Sequence, residues 1–302
     1  MARPRRPGDR TTVTAVSLSG IRRAVAVGAT GAMFIVLAGT TYQGVATALE
    51  RRQLPHPGRL IDVGGHQLHL DCVGEGQPAV VLEAPAMGMS AGWGWIRQDL
   101  TSRTRVCGYD RSGLGWSEAG DRGYDPSRAI DELHLLLEHA GETRPYVLVG
   151  QELGAALATA YATRYRSDVA ALVLIDPPAQ NDGLDRSSMT RFARTWPWLA
   201  RTGVLRGTRL LSRLADGLPD ASAVALGAFL NRPDHLTRAA SELSRWDDTV
   251  RLGASVPLDS GLRVLRLEAE GPRRAAGLND APRAHVVSGE IATVVEAVRN
   301  TP

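Results

Sequence analysis

A glutamate stands at the centre of a motif whose usual chemistry is nucleophilic attack. Tyr146 to Ala156 has the pattern of an apolar strand, a sharp turn and a helix, and the turn is Gly150-Gln-Glu152-Leu-Gly154. The glycines match a G-x-S-x-G nucleophile elbow, in which the central side chain stands above a sheet on a strained backbone. Glu152 replaces the serine of that motif, which excludes serine acyl transfer at this position.

The composition restricts the remaining chemistry. The 302 residues are 43% hydrophobic and 22% charged, which excludes the disordered and low-complexity classes. Aromatic residues make up 5% and do not alternate with basic ones, so we expect no nucleic-acid partner. All 35 basic residues are Arg, which excludes Schiff-base chemistry and a lysine base. Because no Cys/His cluster has ligand spacing and no glycine loop suits a phosphate, we expect neither a metal nor an organic cofactor.

The basic character of the chain belongs to its N-terminal segment. Residues 1–23 contain six Arg and one Asp, a net charge of +5, whereas the whole chain carries +3. The remaining residues therefore carry −2, so the charge balance does not indicate an acidic partner for the rest of the chain.

An uncharged segment of 26 residues follows, from Ala24 to Leu49. As a helix it would span roughly 39 Å, more than the ~30 Å hydrocarbon core of a bilayer. The arginine excess before it favours a single-pass anchor at 24–49 with the following domain outside the cytoplasm. Three alternatives remain: signal cleavage after Ala46-Thr47-Ala48, a twin-arginine signal at Arg22-Arg23, and a buried helix of a soluble protein. Prolines and a glycine then predict a linker at 50–59.

The rest of the chain, 60–302, alternates between strand and helix patterns, as an α/β sheet does. A helix should begin at Asp125-Pro126 and end at Gly141. A helical, arginine-rich cap is expected at about 178–256, inserted before the strand Leu262–Leu267. Further strands are predicted at 60–63, 67–72, 79–82, 104–109, 146–149, 171–175 and 284–287, with a closing helix at 291–300.

The chain resembles the α/β-hydrolase superfamily, and specifically its membrane-anchored bacterial branch. The resemblance implies a mostly parallel eight-stranded sheet, with a helical cap after the sixth strand and a triad of nucleophile, acid and histidine. The matching stretches, in family order, are 57–65, 68–74, 80–84, Arg105-Val-Cys-Gly-Tyr-Asp-Arg-Ser-Gly-Leu-Gly-Trp-Ser117, 131–134, 146–154 and 172–177.

Two positions of the implied triad carry glutamate. Where the family has Ser-Gly-His before the last helix, this chain has Ser288-Gly289-Glu290. We interpret His285, five residues earlier, as structural. The candidates for the family acid are Asp176, Glu268 and Glu270.

If the fold is kept, Glu152 and Glu290 inherit neighbouring positions. They would share one proton and so provide one acid and one base. The alternative is that each glutamate pairs separately with an arginine, such as Arg111.

The resemblance also places an oxyanion loop after the third strand. We interpret residues 85–90 as that loop, although Gly88-Met-Ser90-Ala-Gly92 also fits G-x-S-x-G, because no suitably placed histidine is visible for Ser90. The candidate substrate and oxyanion residues are Ala86, Met87, Gln151 and Leu153.

Several functions remain open. The favoured one is acid–base chemistry by Glu152 on an apolar small molecule, such as cyclisation, elimination, isomerisation or epoxide opening. The alternatives are an inactive hydrolase fold that serves as a binding module, an accessory subunit, and a hydrolase with an unusual glutamate nucleophile. The resemblance places Cys72 and Cys107 on neighbouring strands, either as a disulfide or as two buried thiols.

Overall fold

The computed structural model describes residues 18–179, 186–268 and 277–301. Within these ranges a seven-stranded sheet has the order β1-β2-β4-β3-β5-β6-β7. The pairs β1–β2 and β2–β4 are antiparallel, and the other pairs are parallel. The strands are β1 Arg59–Asp62, β2 Gln67–Val73, β3 Val80–Glu83, β4 Val106–Tyr109, β5 Tyr146–Gln151, β6 Val169–Ile175 and β7 Arg263–Leu267.

Helices cover both faces of the sheet, so the central strands are continuous apolar runs buried on both sides. Every residue of β3, β4 and β5 is buried. The helices are α1 Leu18–Gln53, α2 Gly94–Leu100, α3 Pro126–Ala140, α4 Leu153–Arg164, α5 Arg186–Ala193, α6 Trp196–Arg201, α7 Val204–Thr208, α8 Asp220–Phe229, α9 Pro233–Ser244, α10 Trp246–Ala254 and α11 Ala281–Arg299.

The predicted helix after Asp125 is confirmed together with its end signals. The Asp125 side chain accepts a hydrogen bond from the Arg128 backbone N–H at 3.0 Å, and Gly141 closes α3 at φ 73°. Such caps satisfy N–H and C=O groups that have no partner within the helix. The helical cap is also found where it was expected, with α5 to α10 lying between β6 and β7.

The eighth strand was predicted wrongly. Residues 284–287 lie inside α11, so the described part of the chain has seven strands. The physical reason is the period of the apolar side chains, because Ala284, Val287, Ile291 and Val295 are all buried at helical spacing. Pro282, near the start of α11, suits the first turn of a helix.

The N-terminal helix is longer than the predicted anchor. It runs from Leu18 to Gln53, so it takes up part of the expected linker, and residues 1–17 lie outside the described ranges. From Val25 to Gln53 it is long and apolar enough to cross a membrane, and its most apolar window is not buried. The helix is therefore compatible with a membrane anchor or a signal sequence, and its exposure disfavours the interpretation as a buried helix.

The register of the sheet decides the state of the two cysteines. Cys72 lies directly opposite Cys107 in the β2–β4 ladder, and the two form a disulfide. A bridge across 35 residues restricts the unfolded chain considerably.

Removal of this bridge gives the first testable prediction. Replacing both cysteines by Ala should lower the free energy of unfolding by about 3–4 kcal/mol, because the unfolded chain regains the entropy of an open loop. Urea denaturation with and without reductant measures this loss, and reductant should not affect the double variant. Two free thiols in the denatured, unreduced protein would contradict the prediction.

Candidate functional site

The turn between β5 and α4 has the geometry of a nucleophile elbow. Glu152 has φ 48° and ψ −115°, a sparsely populated conformation for a residue other than glycine. The turn has no room for a side chain at either of its two glycines. A Cβ at Gly150 would lie 2.4 Å from the carbonyl oxygen of Gly154. A Cβ at Gly154 would lie 2.4 Å from the carbonyl oxygen of Glu83. The elbow therefore holds a half-buried carboxylate at the carboxyl edge of the sheet.

Asp176 stands beside Glu152 because their strands are in register. Gln151 pairs with Ile175, so each acidic residue is the first one beyond its strand. The Glu152 N–H donates to the Ile175 carbonyl at 2.9 Å, and the Asp176 N–H donates to the Leu267 carbonyl at 2.8 Å. Asp176 is buried and also has a positive φ, 47°. Two strained acidic residues thus lie at adjacent strand ends.

Arg283 on α11 pairs with one of these carboxylates. Its Nη2 lies 2.5 Å from Oδ2 of Asp176, and the two side chains are 9% and 3% exposed. The last helix therefore brings an arginine to the carboxyl edge of β6, near the elbow, where the resemblance had implied a histidine.

The expected pairing of Glu152 with Glu290 does not form. Glu290 lies two turns beyond Arg283 on α11, and its side chain is exposed, whereas Ser288 and Ile291 on either side are buried. Since the sheet face of the helix is the buried one, Glu290 points into solvent.

The other candidates for the acid and the histidine lie elsewhere. Glu268 is exposed, and Glu270 lies outside the described residues. His285 is half-exposed, and its Nδ1 lies 2.7 Å from the Asp99 carboxylate. The structural interpretation of His285 agrees with this position.

One buried arginine holds the loop after β3 in place. Arg111 donates from Nε and Nη2 to Glu242 at 2.7 and 2.9 Å, and from Nη1 to Glu83 at 2.6 Å. It also donates to the carbonyls of Ala84 and Pro85 at 2.7 and 2.9 Å. All three charged side chains are at most 3% exposed. Arg111 is therefore committed to these two glutamates and is the counterion of neither Glu152 nor Glu290.

The same cluster ties the cap to the loop. Met87, with φ 64°, directs its N–H to Oε2 of Glu242 at 3.4 Å. His235 lies 3.0 Å from the Met87 carbonyl through Nε2, and its Nδ1 accepts from the Gly115 N–H at 3.1 Å. Burial lowers the pKa of His235. The ring is therefore neutral and carries its proton on Nε2.

These contacts show that the four candidate substrate and oxyanion residues differ in how available their backbone N–H groups and side chains are to a ligand. The Met87 N–H faces a carboxylate, which makes it a poor donor to a developing anion. Gln151 is buried at the end of β5, whereas Ala86 is half-buried in the loop. Leu153 is the first residue of α4, so its N–H has no acceptor within the helix.

Ser90 does have a histidine neighbour, contrary to the sequence-based expectation. His69 Nδ1 lies 3.0 Å from Asp110 and 3.5 Å from the Ser90 hydroxyl, and its Nε2 lies 2.6 Å from the Pro57 carbonyl. Burial lowers the pKa of His69, but Asp110 outweighs that effect and the pKa is raised. Because Ser90, His69 and Asp110 are at most 1% exposed, the cluster is structural.

A cavity of about 290 Å³ lies next to the elbow helix, and Glu152 does not line it. Its walls come from α4, from Pro177 and Pro178 after β6, and from α10 with the segment that follows. Most lining residues have apolar side chains, but Thr159, Arg266 and exposed backbone make about half of the surface polar, and Pro177 follows Asp176 directly.

Sequence reasoning missed Glu83, Glu242 and His235, and it gave Arg283 no role. Glu83 ends a buried strand whose other residues are all apolar. That position is a signal in the sequence, because a buried carboxylate must be paired. The sequence offered no comparable signal for the two cap residues.

Known proteins share parts of this architecture. The chain is 30% identical over 135 residues to a 2-hydroxy-6-oxo-2,4-heptadienoate hydrolase of Pseudomonas putida, covering 42% of this chain and 49% of that protein. It is 30% identical over 105 residues to an uncharacterized protein of Schizosaccharomyces pombe, covering 33% of this chain and 20% of that one. The chain thus spans less than half the length of either relative.

Solved structures support the same fold. A thermophilic esterase from Thermogutta terrifontis superposes with a TM-score of 0.58 at 19% identity, covering 80% of this chain and 98% of that chain. An epoxide hydrolase from Bacillus megaterium gives 0.55 at 15% identity, covering 80% and 100%. The family model of the alpha/beta hydrolase fold matches residues 80–269, more than half of the sequence. The chain therefore belongs to the alpha/beta hydrolase fold family.

Proposed function

We propose that the protein is an acid–base enzyme that uses Glu152 on an apolar small molecule without serine hydrolysis. The observation that carries this proposal is the strained elbow that presents a carboxylate. A conformation of this kind costs about 1–3 kcal/mol and persists where the surrounding structure enforces it. A residue of this type in this position suits proton abstraction or donation.

The neighbouring groups support a proton-transfer role. Arg283 holds Asp176 as an ion pair, and Asp176 follows the strand next to that of Glu152. In the proposed reaction Glu152 removes a proton from a carbon of the substrate, and the Leu153 N–H stabilises the negative charge that develops on oxygen. Protonated Glu152 then returns the proton to that oxygen or to another carbon, which restores the carboxylate. Isomerisation and elimination fit this division of roles, as do cyclisation through an enolate and the opening of an epoxide by loss of a proton from the carbon next to the ring.

Hydrolysis through a glutamyl ester is disfavoured by the positions of the histidines. Such an ester needs a base that activates water. His235 is held by Met87 and Gly115, and His285 by Asp99. Neither supplies that base at the elbow. The other five histidines also contact groups away from the elbow, namely Pro57, Glu132, Asp110, Asp168 and Asp62 for His56, His66, His69, His134 and His139.

The test is a turnover screen. The full chain and its Glu152→Gln variant are incubated with apolar epoxides, polyenes and carbonyl compounds, and products are identified by mass spectrometry. A product formed by the parent chain alone supports the proposal. Binding without turnover by either protein would favour a binding module instead.

We further propose that α1 anchors the protein in a membrane with the α/β domain outside the cytoplasm. The arginine excess before the helix supports this orientation, and so does the disulfide, because disulfides persist in oxidising compartments. Gln43 and Glu50 of α1 bind the cap, so cleavage after Ala48 would cut a docked helix.

Protease added to intact cells should remove the domain, with a cytosolic protein remaining intact as control. Immunoblots with an antibody against the domain measure the loss. Protection until the cells are lysed would contradict the orientation. Protein in the medium that begins after Ala48 would instead support a cleaved signal.

A further inference from the structure

The cap carries a surface that is both basic and apolar. From Arg186 to Ala215 the chain contains seven Arg and no Asp or Glu. The guanidinium of Arg201 lies over the Trp198 ring at 5.1 Å, and Trp198 is 70% exposed. We call the exposed side chains of residues 191–214 the basic apolar face, and its large apolar members are Phe192, Trp198, Val204, Leu210 and Leu214.

This face adjoins the place where α1 meets the cap. A Cβ at Gly39 would lie 2.1 Å from the Thr202 carbonyl oxygen, so the cap backbone lies directly against the helix. Further along, Gln43 donates to the Asn231 carbonyl at 2.8 Å and accepts from Arg206 at 3.0 Å. The second half of α1 is thus docked on the cap through close and partly buried contacts.

The length of α1 sets the depth of this contact. A helix that enters the hydrocarbon layer at Ala24, after Arg22 and Arg23, needs about 20 residues to cross ~30 Å and leaves near Gln43. Gly39 then lies roughly 23 Å from Ala24, still within the far boundary of the layer. The cap residues that contact Gly39 therefore lie about 7 Å inside that boundary, a depth at which amphipathic surfaces bury their apolar side chains between the headgroups and the acyl chains.

We propose that the basic apolar face sits at the boundary between headgroups and acyl chains of the leaflet from which α1 emerges, with its arginines on anionic phospholipid headgroups. The inference rests on the membrane anchorage proposed above. Tryptophan favours this interface, and a surface that combines arginine with apolar side chains suits anionic lipids. The excess of arginine and the continuity with α1 favour a membrane over a protein partner. Asp216, directly after the stretch, lies 4.0 Å from Arg209, but both side chains are largely exposed and the pair is open to competition from lipid headgroups.

The test places one fluorophore on this face. The described residues include no free cysteine, and all cysteines of the chain are described, so Trp198→Cys creates a single thiol for an NBD label. The labelled full chain is incorporated into nanodiscs of phosphatidylcholine, with or without phosphatidylglycerol, that contain a lipid nitroxide. Val286→Cys on α11 is the matched control, because Val286 is 66% exposed. Val204→Cys replaces the first variant if that one does not fold.

We expect the nitroxide to quench the emission at position 198 strongly, because the label lies at the lipid surface, and to leave the emission at 286 nearly unchanged. Equal, solvent-like emission at both positions would overturn the proposal. Failure of the chain to enter nanodiscs would overturn the anchorage and this inference with it. Incorporation and quenching are separate readouts, so the two failures are distinguishable.

The headgroup assignment has its own control pair. Phosphatidylglycerol should increase the quenching at 198, and Arg209→Gln should reduce that increase. Arg251→Gln should not, although the Arg251 side chain is as exposed as that of Arg209, at 68% and 71%. Identical quenching in the two lipid mixtures would overturn the assignment to anionic headgroups.

Discussion

Glu152→Gln should reduce turnover by about 10²- to 10⁴-fold, the usual contribution of a positioned acid or base. The amide keeps the size of the side chain and its capacity for hydrogen bonds, but it does not exchange a proton at neutral pH. Initial rates on any substrate found in the screen measure this loss. Thermal unfolding and ligand binding should stay unchanged, because the elbow backbone is set by Gly150 and Gly154.

Glu290→Gln is the matched control, since it makes the same chemical change on the exposed side of α11. We expect it to leave the rate unchanged. Loss of activity in the Glu290 variant, or full activity in the Glu152 variant, would contradict the proposed role of Glu152.

Glu152→Ser should not create an esterase, because no histidine of the described chain contacts the elbow, where it could activate the hydroxyl. Hydrolysis of p-nitrophenyl esters checks this point.

Arg111→Met should lower the free energy of unfolding by about 3–5 kcal/mol, the cost of leaving buried charges without their partner. Glu83 and Glu242 both lose their counterion, and the carbonyls of Ala84 and Pro85 lose a donor. Urea denaturation at neutral pH measures the loss. Arg251→Met is the control, because its ion pair with Asp248 is largely exposed and should contribute less than about 1 kcal/mol.

The loss should depend on pH in a definite direction. Burial raises the pKa of Glu83, and Arg111 opposes that rise. Without Arg111 the folded state holds a proton on this carboxyl to higher pH than the unfolded chain does, so stability falls as the pH rises. The free energy of unfolding of the Arg111 variant should therefore be closer to that of the parent at pH 5 than at pH 8. A constant difference between the two pH values would show that the carboxylates are not the cause.

Local signals predicted most of the fold. The strand runs, the Asp125 and Gly141 caps and the glycines of the elbow depend on a few neighbouring residues, whose backbone preferences are written in the sequence. The prediction failed at 284–287, where a short apolar run was interpreted as a strand although Ala284, Val287 and Ile291 recur at helical spacing. Burial against the sheet follows that period, so the segment is helical.

The sequence by itself determined that a carboxylate occupies the elbow, because that position depends only on the glycines on either side of Glu152. The tertiary structure alone decided which groups surround it. Asp176 lies beside Glu152 through the β5–β6 register, and Arg283 reaches Asp176 from 107 residues away. Arg111 likewise reaches Glu242 from 131 residues away. Ion pairs at such separations depend on which elements pack together, and no local pattern of side chains records that packing.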